Sequence, residues 1–270
     1  MLRRIYCLSS LFLFISSSLF AKSYTIGGAR PATLLTPSQV KADQKIPLLV
    51  FLHGYTSSGV QSDSFFGISR QRDSLNFAVA LPDGTQNSRG YRFWNATPEC
   101  CDFEQSGVDD AGYIAGLIRE ASAVAPIDPE RVYLIGHSNG GFMSYRMACD
   151  YPGLVRGIIS VAGAFYSNPA LCKNPGDLNV LQIHGTADDT VPVANGESGL
   201  SFWSKRGRCD AAVESKGALD LVSAGGAETD AVVWDNCQNE TKVGYWRING
   251  GTHAPYLNSS WLRAALEFVK

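Results

Sequence analysis

The sequence is sparing with charge and histidine and lacks metal-binding spacings, and each shortage excludes something. Charged residues make up 18% of the 270, and the formal net charge is −2. Without Arg3 and Arg4 the count is 21 basic against 25 acidic residues. That balance is too mild and too dispersed to argue for nucleic acid or an anionic membrane as a partner. Beyond residue 21 no apolar run reaches the ~20 residues that span a bilayer. No CxxC pair occurs, and adjacent cysteines rarely bind one ion together, so no metal site is expected. Low-complexity tracts and internal repeats are also missing. Only four histidines are available for acid–base work.

What is present begins with a leader. Arg3 and Arg4 precede an apolar and serine stretch over residues 8–20, and Leu19-Phe20-Ala21 ends on a small side chain. This layout predicts a secretory signal peptide over residues 1–21, cleaved after Ala21. An uncleaved membrane anchor is the alternative reading, and the shortness of the run and its serines weigh against it. Residues 22–270 then read as one domain. Setting Cys7 aside leaves Cys100, Cys101, Cys149, Cys172, Cys209 and Cys237. An even number in an exported chain points to disulfides, with Cys209–Cys237 the best single pair.

Residues 46–52 and 77–81 are continuous apolar runs that suit buried strands. Further strands are expected over 131–135, 157–162, 180–183 and 242–248. Helices are expected over 108–123, 142–149 and 259–269, the last with Trp261, Ala264, Ala265 and Phe268 along one face. Strands alternating with helices predict an α/β fold, a mostly parallel sheet covered on both faces. Its chemistry should lie beyond the carboxyl ends of the strands. Residues 191–237 are poor in strand signal and read as an excursion over the active-site face. Asp109-Asp110 reads as an N-terminal helix cap. Asn95, Asn239 and Asn258 open glycosylation sequons.

Gly136-His137-Ser138-Asn139-Gly140 fits the G-x-S-x-G turn that carries a nucleophilic serine between a strand and a helix. The bare pattern is common, but here Val-Tyr-Leu-Ile precedes it and a helical segment follows. In this arrangement the partners come in the order Ser, Asp or Glu, then His. His53 precedes the serine, His137 lies within the turn and His184 precedes the acid. His253, in a glycine-rich loop after a strand, is therefore the expected base. Asp188 and Asp189 both suit the acid on spacing. The backbone N–H groups of Asn139 and Tyr55 are the expected oxyanion donors. Trp94, Phe202 and Trp203 are candidates for an aromatic substrate wall.

Taken together, these pieces resemble the secreted polyhydroxybutyrate depolymerase-like and feruloyl esterase-like branch of the α/β-hydrolases. The resemblance rests on Leu52-His53-Gly54-Tyr55, Val108-Asp109-Asp110, the serine turn, His184-Gly185-Thr186-Ala187-Asp188 with Val191-Pro192, and Gly250-Gly251-Thr252-His253. Together these motifs span residues 46 to about 257, most of the chain that follows the expected leader. The resemblance implies the α/β-hydrolase fold, Asp188 as the acid, and a small-molecule or oligomeric ester as substrate. One departure is Ala254-Pro255-Tyr256, where many relatives carry a tryptophan soon after the histidine, and it weakens any choice of substrate. The implied chemistry is two-step acyl transfer needing no cofactor. A serine peptidase of the same fold and a noncatalytic binding protein are the rival readings.

Overall fold

The computed structural model describes residues 22–41, 43–223 and 226–270. The expected signal peptide and Cys7 lie outside them. In chain order come β1 (Ser23–Ile26), β2 (Ala32–Leu35), β3 (Ile46–Leu52), α1 (Gly59–Phe66), α2 (Arg72–Leu75) and β4 (Ala78–Leu81). A small separate hairpin, β5 (Thr85–Gln86) and β6 (Arg92–Phe93), is followed by α3 (Asp110–Val124), β7 (Ile127–His137) and α4 (Asn139–Asp150). Then follow β8 (Gly157–Val161), β9 (Asn179–Gly185), α5 (Val193–Gly207), β10 (Val213–Leu219), β11 (Thr229–Trp234), β12 (Val243–Ile248) and α6 (Trp261–Val269).

Among the described residues, ten strands make one sheet in the order β1-β2-β4-β3-β7-β8-β9-β12-β11-β10. The run from β4 to β12 is parallel, and both ends are finished by antiparallel strands. β3, β4 and β8 are buried at every position, because a parallel strand between two helical layers meets no water on either face.

Side-chain alternation divides the core. Leu48, Val50 and Leu52 of β3 join Val132 and Leu134 of β7 under Ile114, Met143, Met147 and Trp203 of α3, α4 and α5. Leu49 and Phe51 join Tyr133 and Ile135 against Phe66 of α1 and Trp261, Leu262 and Leu266 of α6. The Trp261 indole donates to the Phe66 carbonyl at 3.3 Å, tying α6 to α1. The buried stripe of α6 is Trp261, Leu262, Ala265, Leu266 and Val269. Ala264 and Phe268, expected to share the inward face with Trp261, are only partly buried.

Residues 191–237 correct the expectation of an excursion over the sheet. They supply α5, packed on β9 and β12, and two strands that widen the sheet at its edge. β10 is exposed along nearly its whole length, so its sequence carries no apolar pattern to betray a strand. Asp109 caps α3 as expected, accepting from Gly112 N–H at 2.8 Å. Asp110 instead is fully buried and accepts from Arg30 at 2.6 Å and from Asn95 N–H at 2.8 Å. Disulfides join Cys209–Cys237, Cys149–Cys172 and Cys100–Cys101. Among the described residues, no helix is long and apolar enough to cross a membrane.

Candidate active site

Loops beyond the carboxyl ends of β3, β7, β8, β9 and β12 meet around Ser138, which follows β7 and caps α4 with φ 52° and ψ −121°. A positive φ is costly for serine and persists only where the surroundings enforce it. Here they do: Ser138 N–H donates to the Val161 carbonyl at 2.8 Å. A Cβ on Gly140 would lie 2.0 Å from the Leu52 carbonyl oxygen, and one on Gly136 would lie 2.0 Å from the Gly140 oxygen. The two glycines thus let β7 turn into α4 against β3 with the serine at the apex.

Asp188 follows β9 and its side chain is fully buried. Its Oδ1 accepts from the N–H groups of Thr190 and Val191, each at 2.9 Å. Its Oδ2 accepts from His253 Nδ1 at 2.8 Å and stands 3.1 Å from His184 Nε2. Burial alone would push this carboxyl up, but the bonds from His253, Val191 and Thr190 outweigh it and hold it below the ordinary carboxylate value. Asp189, its rival on spacing, is exposed and bonded to the Thr190 hydroxyl at 3.3 Å. Ser138 and His253 line one cleft of about 360 Å³ with Gly54, Gln61 and Phe65. No direct hydrogen bond joins the two side chains, and such contacts tighten when substrate is engaged.

The other histidines are structural neighbours of these groups. His137 Nε2 donates to the His253 carbonyl at 2.9 Å, which moors the glycine-rich loop. Burial pushes its pKa down to about 4, so it is neutral near pH 7. His53 is fully buried, donating from Nδ1 to the Gly54 carbonyl at 2.8 Å and accepting from Gly84 N–H at 2.9 Å. It thereby holds the loop that presents Tyr55. Asn139 opens α4, so its backbone N–H belongs to a first turn with no partner inside the helix. Its side chain exchanges bonds with Trp94, accepting from Trp94 N–H at 2.7 Å and donating to the Trp94 carbonyl at 2.9 Å.

A second cleft, of about 520 Å³, opens on the other side of Ser138. Its apolar wall is Tyr55, Phe103, Phe142, Phe165 and the Cys100–Cys101 pair, with Glu99, Ser167, Asn195 and Ser198 as polar neighbours. Trp94, Phe202 and Trp203 are not part of it, which corrects the expected aromatic wall. Trp94 is fully buried with its indole donating to the His53 carbonyl at 3.0 Å. Trp203 is core, and Phe202 stacks behind Phe165 with ring centroids 4.8 Å apart. Phe165 was legible only as a residue just past a strand end, a place any core phenylalanine could occupy. Among the described residues, no group of three or more His, Cys, Asp or Glu is arranged to hold a metal ion.

Comparison with known proteins agrees with this geometry. The profile of the Phospholipase/Carboxylesterase family matches residues 38–214. Feruloyl esterase B of Piromyces equi is 28% identical over 229 residues, covering 81% of this chain and 41% of its own length. Poly(3-hydroxyalkanoate) depolymerase C of Paucimonas lemoignei is 30% identical over 213 residues, covering 67% and 50%. The chain thus spans half or less of the length of these curated relatives. The solved acetyl xylan esterase from Aspergillus awamori superposes with a TM-score of 0.73 at 14% identity, covering 92% of this chain and 99% of that one. At that identity the likeness establishes the α/β-hydrolase fold.

Proposed function

The chain belongs to the phospholipase/carboxylesterase family, and we propose that it is a secreted serine esterase whose single catalytic domain occupies residues 22–270. The observation that carries this reading is the serine held at a positive φ between two clefts, with His253 beside it bonded to the buried side chain of Asp188. In the proposed cycle His253 takes the proton of Ser138 as its Oγ attacks the ester carbonyl. Asp188 keeps the proton on Nδ1, leaving Nε2 free to act as base, and stabilises the imidazolium. The N–H groups of Tyr55 and Asn139 receive the oxyanion. The alcohol departs with the proton from His253, and water repeats the sequence on the acyl-enzyme.

The two clefts suit the two halves of an ester. The larger one, walled by Phe103, Phe142 and Phe165, fits a bulky acyl group. The smaller one, beside His253 and Gln61, fits the alcohol. Feruloyl or acetyl esters of plant polysaccharide, and hydroxyalkanoate oligomers, are the proposed substrate class, in keeping with the relatives' names. The disulfides among the described residues favour an oxidising compartment. A mature N-terminus at Lys22, read by Edman sequencing of exported protein, tests the export. The chemistry is tested by hydrolysis of a feruloyl ester, an acetylated oligosaccharide and a hydroxybutyrate oligomer, by wild type and Ser138→Ala together. Activity confined to wild type supports the reading, and the ranking identifies the acyl group. Equal activity in both proteins contradicts it.

A further inference from the structure

Behind the Asp188–His253 pair a line of buried polar side chains leads back into the fold. Tyr145 of α4, Gln182 and His184 of β9 are all fully buried. The Tyr145 hydroxyl donates to Gln182 Oε1 at 3.0 Å. Gln182 Nε2 reaches the Gly163 carbonyl at 2.9 Å and His184 Nδ1 at 3.0 Å. A carbonyl oxygen can only accept, so the amide nitrogen must be on that side, and its second N–H points at His184. Nδ1 of His184 is then an acceptor, and the ring proton sits on Nε2. That N–H donates to the Val191 carbonyl at 2.8 Å, and Nε2 itself stands 3.1 Å from Asp188 Oδ2.

The ring has no freedom to reverse this assignment. A Cβ on Gly196 of α5 would lie 2.3 Å from His184 Nδ1, so the helix lies directly against the imidazole. Burial also lowers the His184 pKa, which agrees with a neutral ring that accepts at Nδ1.

We propose that His184 is a positioning residue for ester hydrolysis, a fixed neutral ring whose Nε2–H side holds Asp188 Oδ2 in line with His253 Nδ1. The proposal rests on the reading of Asp188 and His253 given above. A carboxylate anchored only at Oδ1, by the Thr190 and Val191 amides, can still swing about its Cβ–Cγ bond. The Nε2–H edge of His184, 3.1 Å from Oδ2, opposes that swing, and the Tyr145–Gln182 pair fixes the tautomer that turns the proton to that side. His184 carries no proton to or from substrate. The residue sits only four positions before Asp188 in His184-Gly185-Thr186-Ala187-Asp188, so the same turn that delivers the acid also delivers its support.

The test compares wild type, His184→Leu, His184→Gln and Asp188→Asn on one chromogenic short-acyl ester. Loss of an outer partner of this kind costs about 10–100-fold in activity, and that loss is expected in kcat for His184→Leu with KM nearly unchanged. Glutamine at 184 can place an N–H near the position of Nε2, and His184→Gln should recover most of kcat. In wild type, nitrogen-15 spectra should show the His184 ring as the neutral Nε2–H form. The downfield proton of His253 Nδ1–H should persist in His184→Gln and broaden or vanish in His184→Leu. The wild-type spectrum and the glutamine variant keep the test decisive if the leucine variant does not fold. Wild-type kcat in folded His184→Leu, a glutamine variant no better than leucine, or a ring protonated on Nδ1 would each overturn the proposal. Asp188→Asn separates the two readings: if it is inactive while His184→Leu is not, only the positioning role falls; if it is fully active, the underlying acid assignment falls first.

Discussion

Replacing Asp188 by asparagine changes one atom, and its effect can be worked through from the contacts. Oδ1 of the new amide can still accept from Thr190 and Val191. Nδ2 would then face His253 Nδ1 and His184 Nε2, both within 3.1 Å and both donors now. Two N–H groups cannot point at a third, so His253 must take the other tautomer, with its proton on Nε2 toward the serine. A base already protonated on the catalytic nitrogen cannot accept from Ser138, and kcat should drop by about 10⁴-fold. The loss of charged hydrogen bonds should also cost about 2–3 kcal/mol of stability, read as a lower urea midpoint. Asp189→Asn is the control. Its carboxylate is exposed, and an exposed change of this kind is worth about 0.5 kcal/mol or less. Steady-state kinetics on a soluble ester, with circular dichroism to verify folding, decides the matter. A folded Asp188→Asn protein that retains more than about a tenth of kcat, against the 10⁴-fold loss expected, would refute the reasoning, as would an equally inactive Asp189→Asn.

Further predictions concern the turn, the cleft and acid stability. Gly140→Ala should cost about 1–3 kcal/mol by overpacking against the Leu52 carbonyl and should reduce kcat more than KM, measured by urea unfolding beside ester kinetics. Phe165→Ala should lower kcat/KM for a feruloyl ester about tenfold more than for an acetyl ester, because Phe165 walls the cleft proposed for a bulky acyl group. Equal losses on both esters would contradict the proposed assignment of the clefts. His137 has a folded pKa of about 4, below its value near 6.5 when unfolded. The unfolded chain therefore takes up the proton first. The stability that this neutral ring preserves is complete above about pH 6.5 and is lost as pH falls toward 4, up to about 3 kcal/mol. Urea titrations at pH 7 and 4.5 should show a smaller acid loss in His137→Gln than in wild type.

Much of this could be read from sequence because the fold makes strong local demands. The run at 46–52 is apolar throughout and the run at 157–162 is broken only by Ser160, as strands covered on both faces favour, and both are strands within a residue or so of the expected ends. The serine turn needs small residues at 136 and 140 for steric reasons that apply wherever a strand reverses into a helix at this angle. Asp188 was separable from Asp189 only by resemblance, since spacing cannot say which of two adjacent carboxylates turns inward. The cleft was misread because Trp94 and Trp203 have the size of a substrate wall, and nothing local distinguishes a wall from a core. β10 was missed because an exposed edge strand has no buried face to impose alternation. The support of Asp188 by His184 could not be seen at all: it depends on Gln182 and Tyr145, which meet only when α4 packs on the sheet.

The measurement that bears most directly on the central claim is mass spectrometry of the protein after reaction with an organophosphonate ester, a reagent that phosphonylates an activated serine. The account predicts a single adduct, located by peptide mapping on Ser138, formed far more slowly in His253→Ala and Asp188→Asn and not at all in Ser138→Ala, with loss of ester hydrolysis in step with labelling. An adduct on another residue, or full labelling and hydrolysis in Ser138→Ala, would contradict it.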